Sequence, residues 1–394
     1  MRRSAFILIV ILAATLSVMS CSSKTSDFDN RVDYALDYAV SQLKKSVESI
    51  DDPSKFARTN NPDGSWKTVG MYNWTSGHFP GCLWYAYEYS KDESLKDAAI
   101  RWTEALEPVK DYTENHDVGF MIYCSYGNGY RLTGDESYPA IMKKTAESLA
   151  TRYTKTTGVI QSWRSRRGWL VPVIIDNMMN LELMFWAAKN NDMPEIYELS
   201  VDHSKTTIKN HIRENGSTYH VVDYDPDTGD VRGKQTAQGY ADDSTWARGQ
   251  AWGLYGYTMT YRETRDKLFL KTAQRLADFF IANLPEDYVP YWDFNAPNIP
   301  DEPRDSSAAA IAASGLLELC ELVEDKEAAK KYRETALNLL SALCSSEYLT
   351  EGTNNPAILQ HGTGHLPGDS EIDVALIYGD YYFLEALLRY KRGI

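Results

Sequence analysis

The chain has 394 residues, 43% hydrophobic and 24% charged, with 41 Lys+Arg against 55 Asp+Glu and a formal net charge of −14. That balance argues against nucleic acid or an anionic membrane surface as partner, and an anionic ligand would need a local cationic pocket. The cysteines include no CxxC, and those at 82, 124 and 320 sit in apolar helical text, where a free buried thiol is the usual reading.

In chain order, Arg2 and Arg3 precede an apolar run from Ala5 to Leu16 and then Val18-Met19-Ser20-Cys21. This predicts an export leader over 1–20, too short for a spanning helix. Small residues ahead of Cys21 resemble a bacterial lipobox, with cleavage before Cys21 and lipid on its thiol; a plain signal peptide is the competing reading. Residues 21–28 then form a flexible tether. The expected location is a membrane-tethered, exported protein facing the periplasm, with the lipid as its only membrane contact. Without Arg2 and Arg3, 39 Lys+Arg face 55 Asp+Glu, a net charge of −16.

Strand signals are nearly absent. Helical periodicity predicts helices at about 29–50, 78–90, 94–106, 117–133, 136–154, 173–190, 194–213, 243–264, 266–284, 305–323, 326–345 and 371–391. Those starting at 78, 117, 173, 243, 305 and 371 are rich in small and aromatic residues, as in AAAIAASGLLELCEL, and read as buried on most faces. Their alternating partners carry ordinary charged faces. Six buried helices alternating with six amphipathic ones predict an all-α fold, an (α/α)6 barrel, as one domain over 29–394. The unusual text lies just before the buried helices: YNWTSGHFPG, ENHDVGF, VIIDNMMN, YADDSTWARG, DEPRDSS and HGTGHLPGDSEID. If the inner helices are parallel, these loops meet at one mouth.

The segment TAQGYADDSTWARGQAWGLYGY at 236–257 says most about chemistry. Asp242, Asp243 and Ser244 read as N-cap residues. Trp246, Arg248, Gln250 and Trp252 follow within a few turns. Indole faces beside a guanidinium suit a sugar that carries a carboxylate. The bland alternative is a surface helix with an Arg–Trp stack.

Asp117 (HDVGF) and Asp176 (IIDNMMN) stand at the starts of two neighbouring inner helices, where capping is the default role of an aspartate. Ile174, Ile175, Met178 and Met179 imply poor solvation around Asp176, and burial beside a second carboxylate raises a carboxyl pKa. That is what a general acid working near neutral pH requires. His116 reads as a hydrogen-bonding neighbour of Asp117. His361 and His365 are spaced i, i+4 but flank glycines and Pro367, so no metal site is expected. In QSWRSRRGW at 161–169, Arg164, Arg166 and Arg167 read equally as a solvated basic loop or as a holder of an acidic sugar or sulfate.

Together these segments resemble glycoside hydrolase family 88, the unsaturated glucuronyl hydrolases, over essentially the whole chain after the leader. HDVGF, IIDNMMNLELMFWA and ADDSTWARGQAWGLYGY in that order carry the resemblance. It implies an (α/α)6 barrel and hydration of the 4,5 double bond in the terminal uronate of lyase-generated oligosaccharides, with no cofactor. Asp176 matches the general acid/base and Asp117 the second essential carboxylate. Trp74, His116, Trp163, His220, Gln238, Trp246, Arg248 and Trp252 match the substrate pocket. Ala237 departs from the histidine expected there. Competing readings are the related unsaturated rhamnogalacturonyl hydrolases, conventional two-carboxylate hydrolysis, and a silent sugar-binding barrel.

Overall fold

The structure, a computed structural model, describes the backbone of residues 3–393 and side chains from residue 27 onward. The leader, Cys21 and most of the expected tether thus lie outside the described side chains. Among the described residues, no helix is long and apolar enough to cross a membrane.

Helices alternate between outer and inner positions along the chain. They are α1 (Arg3–Ile50, outer), α2 (His78–Ser90, inner), α3 (Glu93–Glu104, outer), α4 (Val118–Ile122, inner) with its continuation α5 (Asn128–Thr133), α6 (Tyr138–Ala150, outer) and α7 (Asn177–Asn191, inner). Then come α8 (Pro194–His211, outer), α9 (Ala247–Thr264, inner), α10 (Lys267–Ala282, outer), α11 (Ser306–Leu322, inner), α12 (Lys326–Leu343, outer) and α13 (Ile377–Arg392, inner). One π-helical turn, Tyr123–Gly127, joins α4 to α5.

The inner ring closes on itself. α2 packs on α5, α4 on α7, α7 on α9, α9 on α11, α11 on α13, and α13 returns to α2. Each outer helix lies against an inner one, as α10 does on α9 and α12 on α11, with α1 covering the seam between α13 and α2. This is the predicted (α/α)6 barrel. Inner helices must be apolar nearly all round because they have neighbours on every side; α11 is buried without interruption from Ser306 to Cys320. One apolar core runs from Phe28 to Leu388. Cys82, Cys124, Cys320 and Cys344 are free and buried within it.

Three predicted boundaries need correction. The helix expected from 173 starts only at Asn177, because Val171–Ile174 form strand β5 of a small antiparallel sheet. The sheet has the order β5–β6–β7, with β6 at Val221–Tyr224 and β7 at Val231–Gln235 (these labels count four earlier short strands, Phe56–Asn60, Trp66–Val69, Tyr153–Thr154 and Val159–Ile160). β-Branched residues that pair across strands favour this over helix. The helix expected from 243 begins at Ala247. Asp242 and Ser244 do not cap it: Asp242 Oδ1 accepts from Thr236 N, and Ser244 Oγ donates to buried Asp293. The last inner helix starts at Ile377, several residues after the expected 371.

Close approach of α4 to α7 depends on Gly119. A Cβ there would lie 2.5 Å from Asn180 Oδ1 and 2.6 Å from Asn180 Cα, which cannot move without its helix. Gly119→Ala should therefore wedge the two helices apart. We expect a loss of about 1–3 kcal/mol in urea melts, together with a fall in turnover because Asp117 rides on α4 and Asp176 on α7; unchanged stability and turnover would refute the close-approach argument.

Candidate active site

Asp117 and Asp176 occupy the N-cap positions of α4 and α7, yet neither side chain makes a capping hydrogen bond. Aspartates elsewhere behave differently: Asp92, Asp266, Asp305 and Asp325 each cap the helix they precede. At Asp117 the turn is held by Asn115, whose Oδ1 accepts from Asp117 N at 2.6 Å. The carboxylates are thereby left for other work. Both are buried, and Asp176 Oδ2 has no hydrogen-bond partner in the protein. Burial holds each carboxyl up at about 7. For Asp176 the charge of Asp117 adds to burial, while Arg248 pulls the other way. Asp117 is eased by Arg152 and the Asn180 side chain. Near neutral pH the pair therefore holds a proton, as two carboxyls buried together must.

The β-sheet aligns His220 with Asp176. Ile174 of β5 pairs with Val221 of β6, and Ile175 N donates to His220 O at 3.1 Å. His220 Nδ1 accepts from Ala237 N at 3.1 Å and Gln238 N at 3.2 Å. The ring proton must then sit on Nε2, which lies 4.0 Å from Asp176 Oδ2. Burial holds this imidazole well below its ordinary pKa, so it is neutral. Trp246 lies against it with ring centroids 4.5 Å apart, and Trp163 meets it edge-on at 6.1 Å. Ala237, in place of the expected histidine, supplies only its backbone N–H to this arrangement.

The other expected pocket residues also converge, through different contacts. Trp74 packs on Tyr378 (4.7 Å) and Phe120 (5.6 Å), and Phe120 packs on Trp252 (5.2 Å), forming an aromatic wall. Gln238 Nε2 donates to Gly364 O at 3.1 Å. His116 is buried and held neutral, at about 3, by desolvation, with Nε2 3.3 Å from Asp117 Oδ1. It is a neighbour of the carboxylate, but not the hydrogen-bonding one read from sequence, since neither ring nitrogen finds a hydrogen-bond partner in the protein. Gln250 turns away, donating to Gly216 O and Leu276 O.

Arg248 changes role. Its guanidinium is fully buried, with Nη1 on Asp305 Oδ2 and Thr363 O (both 2.6 Å) and Nη2 on Gly364 O (2.5 Å). It is stacked between Trp246 (4.5 Å) and Tyr378 (5.2 Å). The expectation that its fork grips a substrate carboxylate is corrected: the fork ties the 361–365 loop to α11, and what it offers the pocket is positive charge. His361 is bound to Asp373 at 2.5 Å, away from any shared role with His365.

Sequence reasoning missed several supports. Asp305 both caps α11 and anchors Arg248. Asn180 Oδ1 accepts from Phe120 N at 2.9 Å and fixes α4 on α7. Asn177 Nδ2 donates to Ile160 O at 2.8 Å, while Ile160 N donates to His203 Nδ1 at 3.0 Å, so a buried polar chain runs from α8 toward His116. Only the clustering of Asn and His in otherwise apolar text signalled it.

An α/α barrel with a buried carboxyl pair at an indole-lined mouth defines a glycan-processing enzyme. The model of Glycosyl Hydrolase Family 88 matches residues 43–388. The chain is 41% identical to an unsaturated glucuronyl hydrolase of Formosa agariphila over 393 residues, 97% of each chain. It is 33% identical to an unsaturated chondroitin disaccharide hydrolase of Streptococcus agalactiae over 370 residues, 92% of each. Among solved structures, an unsaturated glucuronyl hydrolase specific for heparin superimposes with a TM-score of 0.89 at 45% identity, covering 92% of this chain and 98% of that one. The chain belongs to glycosyl hydrolase family 88 and is an enzyme.

Raised carboxyl pKa values make a stability prediction. The protonated forms suit the fold, so their contribution is present below the unfolded value of about 3.9 and is lost as pH rises through the folded value. Asp176→Asn, which cannot ionise, should raise Tm relative to the parent at about pH 8 and change it little at about pH 4. An equal shift at both pH values would contradict the assignment.

Proposed function

We propose that this enzyme removes the unsaturated (4,5-dehydro) glucuronyl residue from the non-reducing end of lyase-generated glycosaminoglycan-type oligosaccharides. The observation that carries this reading is a buried carboxyl, Asp176, that caps nothing, retains an unpartnered oxygen and sits beside a second buried carboxyl, Asp117. Relatives named unsaturated glucuronyl hydrolase and unsaturated chondroitin disaccharide hydrolase support it. So does the solved structure of a related unsaturated glucuronyl hydrolase mutant complexed with dGlcA-GalNAc6S.

In the proposed reaction the substrate is a vinyl ether. Asp176 donates its proton to C4, and positive charge develops at C5 and the ring oxygen. Asp117, ionised and close by, stabilises that charge. Asp176, now a carboxylate, takes a proton from water as the water oxygen bonds to C5. The resulting hemiketal opens, and the neighbouring sugar leaves with its oxygen. His220, whose Nε2–H faces Asp176, orients the carboxylate through the cycle. The half-buried Trp74 and Trp163 supply apolar surface for the ring, Trp246, Trp252 and His116 are packed behind them as buried supports, and Gln238 lines the same pocket. Arg248 contributes charge, not its hydrogen-bonding fork. The reading needs no metal or organic cofactor.

The decisive assay follows loss of ultraviolet absorbance from the conjugated unsaturated uronate. Asp176→Asn should lower turnover by roughly 10²–10⁴-fold, the range for removing a general acid/base, with substrate binding kept. Asp117→Asn should also lose most activity. Near-parental rates in Asp176→Asn would sink the assignment. Because Asp176 acts protonated, parental turnover should fall as pH rises above about 7. A profile flat through that region would place the proton elsewhere.

We also propose that the protein is exported and tethered by lipid on Cys21, from the basic start, apolar run and small residues before that cysteine. Cys21→Ser should move the protein from the membrane to the soluble fraction of cells; retention on the membrane would argue against the anchor.

A further inference from the structure

Two arginines at the mouth have no carboxylate partner among the described residues, in a chain with a clear acidic excess. Of the three in the 164–167 run, Arg164 is paired with Glu114. Arg166 and Arg167 are not paired. Arg166 lies over the Trp163 ring, its Cζ 3.8 Å from the ring centroid, and is exposed to solvent.

The loop that carries them is built rigidly. Trp169 N donates to Arg166 O at 2.9 Å across a tight turn whose central residues, Arg167 (φ 54°) and Gly168 (φ 81°), are both left-handed. Ser165 Oγ holds Leu170 O at 2.7 Å. Leu170 N and Val171 N both donate to Asp223 Oδ1, at 2.8 and 2.9 Å. A guanidinium fixed on such a turn loses little freedom on binding an anion.

Its position relative to the acid is equally defined. Asp176 is 4.0 Å from His220, His220 is 6.1 Å from Trp163, and Trp163 carries Arg166. The chain of contacts ends at the exposed Arg166. Trp163, Arg164 and Arg166 line an open cavity of about 490 Å³ together with Tyr112, Glu114 and Asn115. Asn115 is the residue that holds the backbone of Asp117, so the cavity adjoins the reaction centre.

We propose that Arg166, on the Trp163 platform, is an anion-recognition residue for a sulfate ester on the sugar that leaves, the one following the unsaturated uronate. A planar fork stacked on an indole is suited to bidentate contact with sulfate oxygens. Arg164, neutralised by Glu114, takes no part. The proposal rests on the function above for the identity of the sugar, but not for the presence of the anion site.

The test separates binding from turnover. Unsaturated disaccharides with and without sulfate on the second sugar are titrated by tryptophan fluorescence into Asp176→Asn protein, alone and combined with Arg166→Ala, Arg166→Lys or Arg164→Ala. Arg166→Ala should weaken the sulfated ligand by about tenfold, the scale of one charge-assisted pair, and leave the unsulfated ligand within about twofold. Arg166→Lys should keep part of the preference, since it keeps the charge but not the fork. Arg164→Ala should match the reference on both ligands. Equal losses on both ligands would make Arg166 a support for the Trp163 face and overturn the proposal, as would a selective loss with Arg164→Ala only. Turnover of the two disaccharides by the parent enzyme is measured alongside. A parent that turns over neither disaccharide while the sulfate preference is Arg166-dependent would refute the reaction and uphold the anion site.

Discussion

Two carboxyl groups buried at helix N-termini without capping those helices are the constraint around which this mouth is organised. A helix N-terminus favours an anion and burial opposes one. At Asp92 and Asp325, which open outer helices and reach solvent, the first effect operates and the side chain accepts the free N–H groups. At Asp117 and Asp176 the second effect dominates, and both carboxyls are held near neutrality. The same residue type at the same helical position thus does different chemistry, decided by burial together with the partners present: Asp305, equally buried, still caps α11 because Arg248 pairs with it.

Most of the surrounding polar groups serve to keep that pair in place without neutralising it. Arg248 illustrates the balance. Paired with Asp305 and two backbone carbonyls, it stitches the C-terminal loop to the start of α11. Its charge still reaches Asp176 and opposes the effects of burial and Asp117. An arginine free to swing onto the carboxylate would have made a salt bridge and abolished the acid. The histidines obey the same logic: His116 and His220 are too deeply buried to carry charge, and His220 accepts two backbone N–H groups while the His116 ring lies beside Asp117 without a hydrogen bond.

The small β5–β6–β7 sheet gives the mouth a rigidity that loops between helices would lack. Its pairing fixes His220 against Asp176, and Asp223 of its central strand anchors the turn bearing Arg166. Barrel and sheet have separate tasks: the inner helices bring the two aspartates together, and the sheet aligns what surrounds them.

The helical alternation was legible because an inner helix must be apolar on all faces and an outer helix on one only, which leaves a direct mark on composition. AAAIAASGLLELCEL against KEAAKKYRETALNLLSAL is enough to order the rings. The HDVGF, IIDNMMN and STWARGQAW segments likewise announced carboxylates and indoles at one end of the barrel. What the chain could not announce is which partner each polar group finds. β5 read as helix because Val171–Ile174 become a strand only when Val221–Tyr224 lie alongside, nearly fifty residues later. Arg248 read as a ligand contact because Asp305 and Gly364, its actual partners, are remote in sequence. Residue type and local periodicity settled the barrel and the chemistry available at its mouth. Tertiary structure alone decided which carboxyls stay dry and uncapped and which arginine stays free, because desolvation and charge pairing depend on neighbours that only the closed ring supplies.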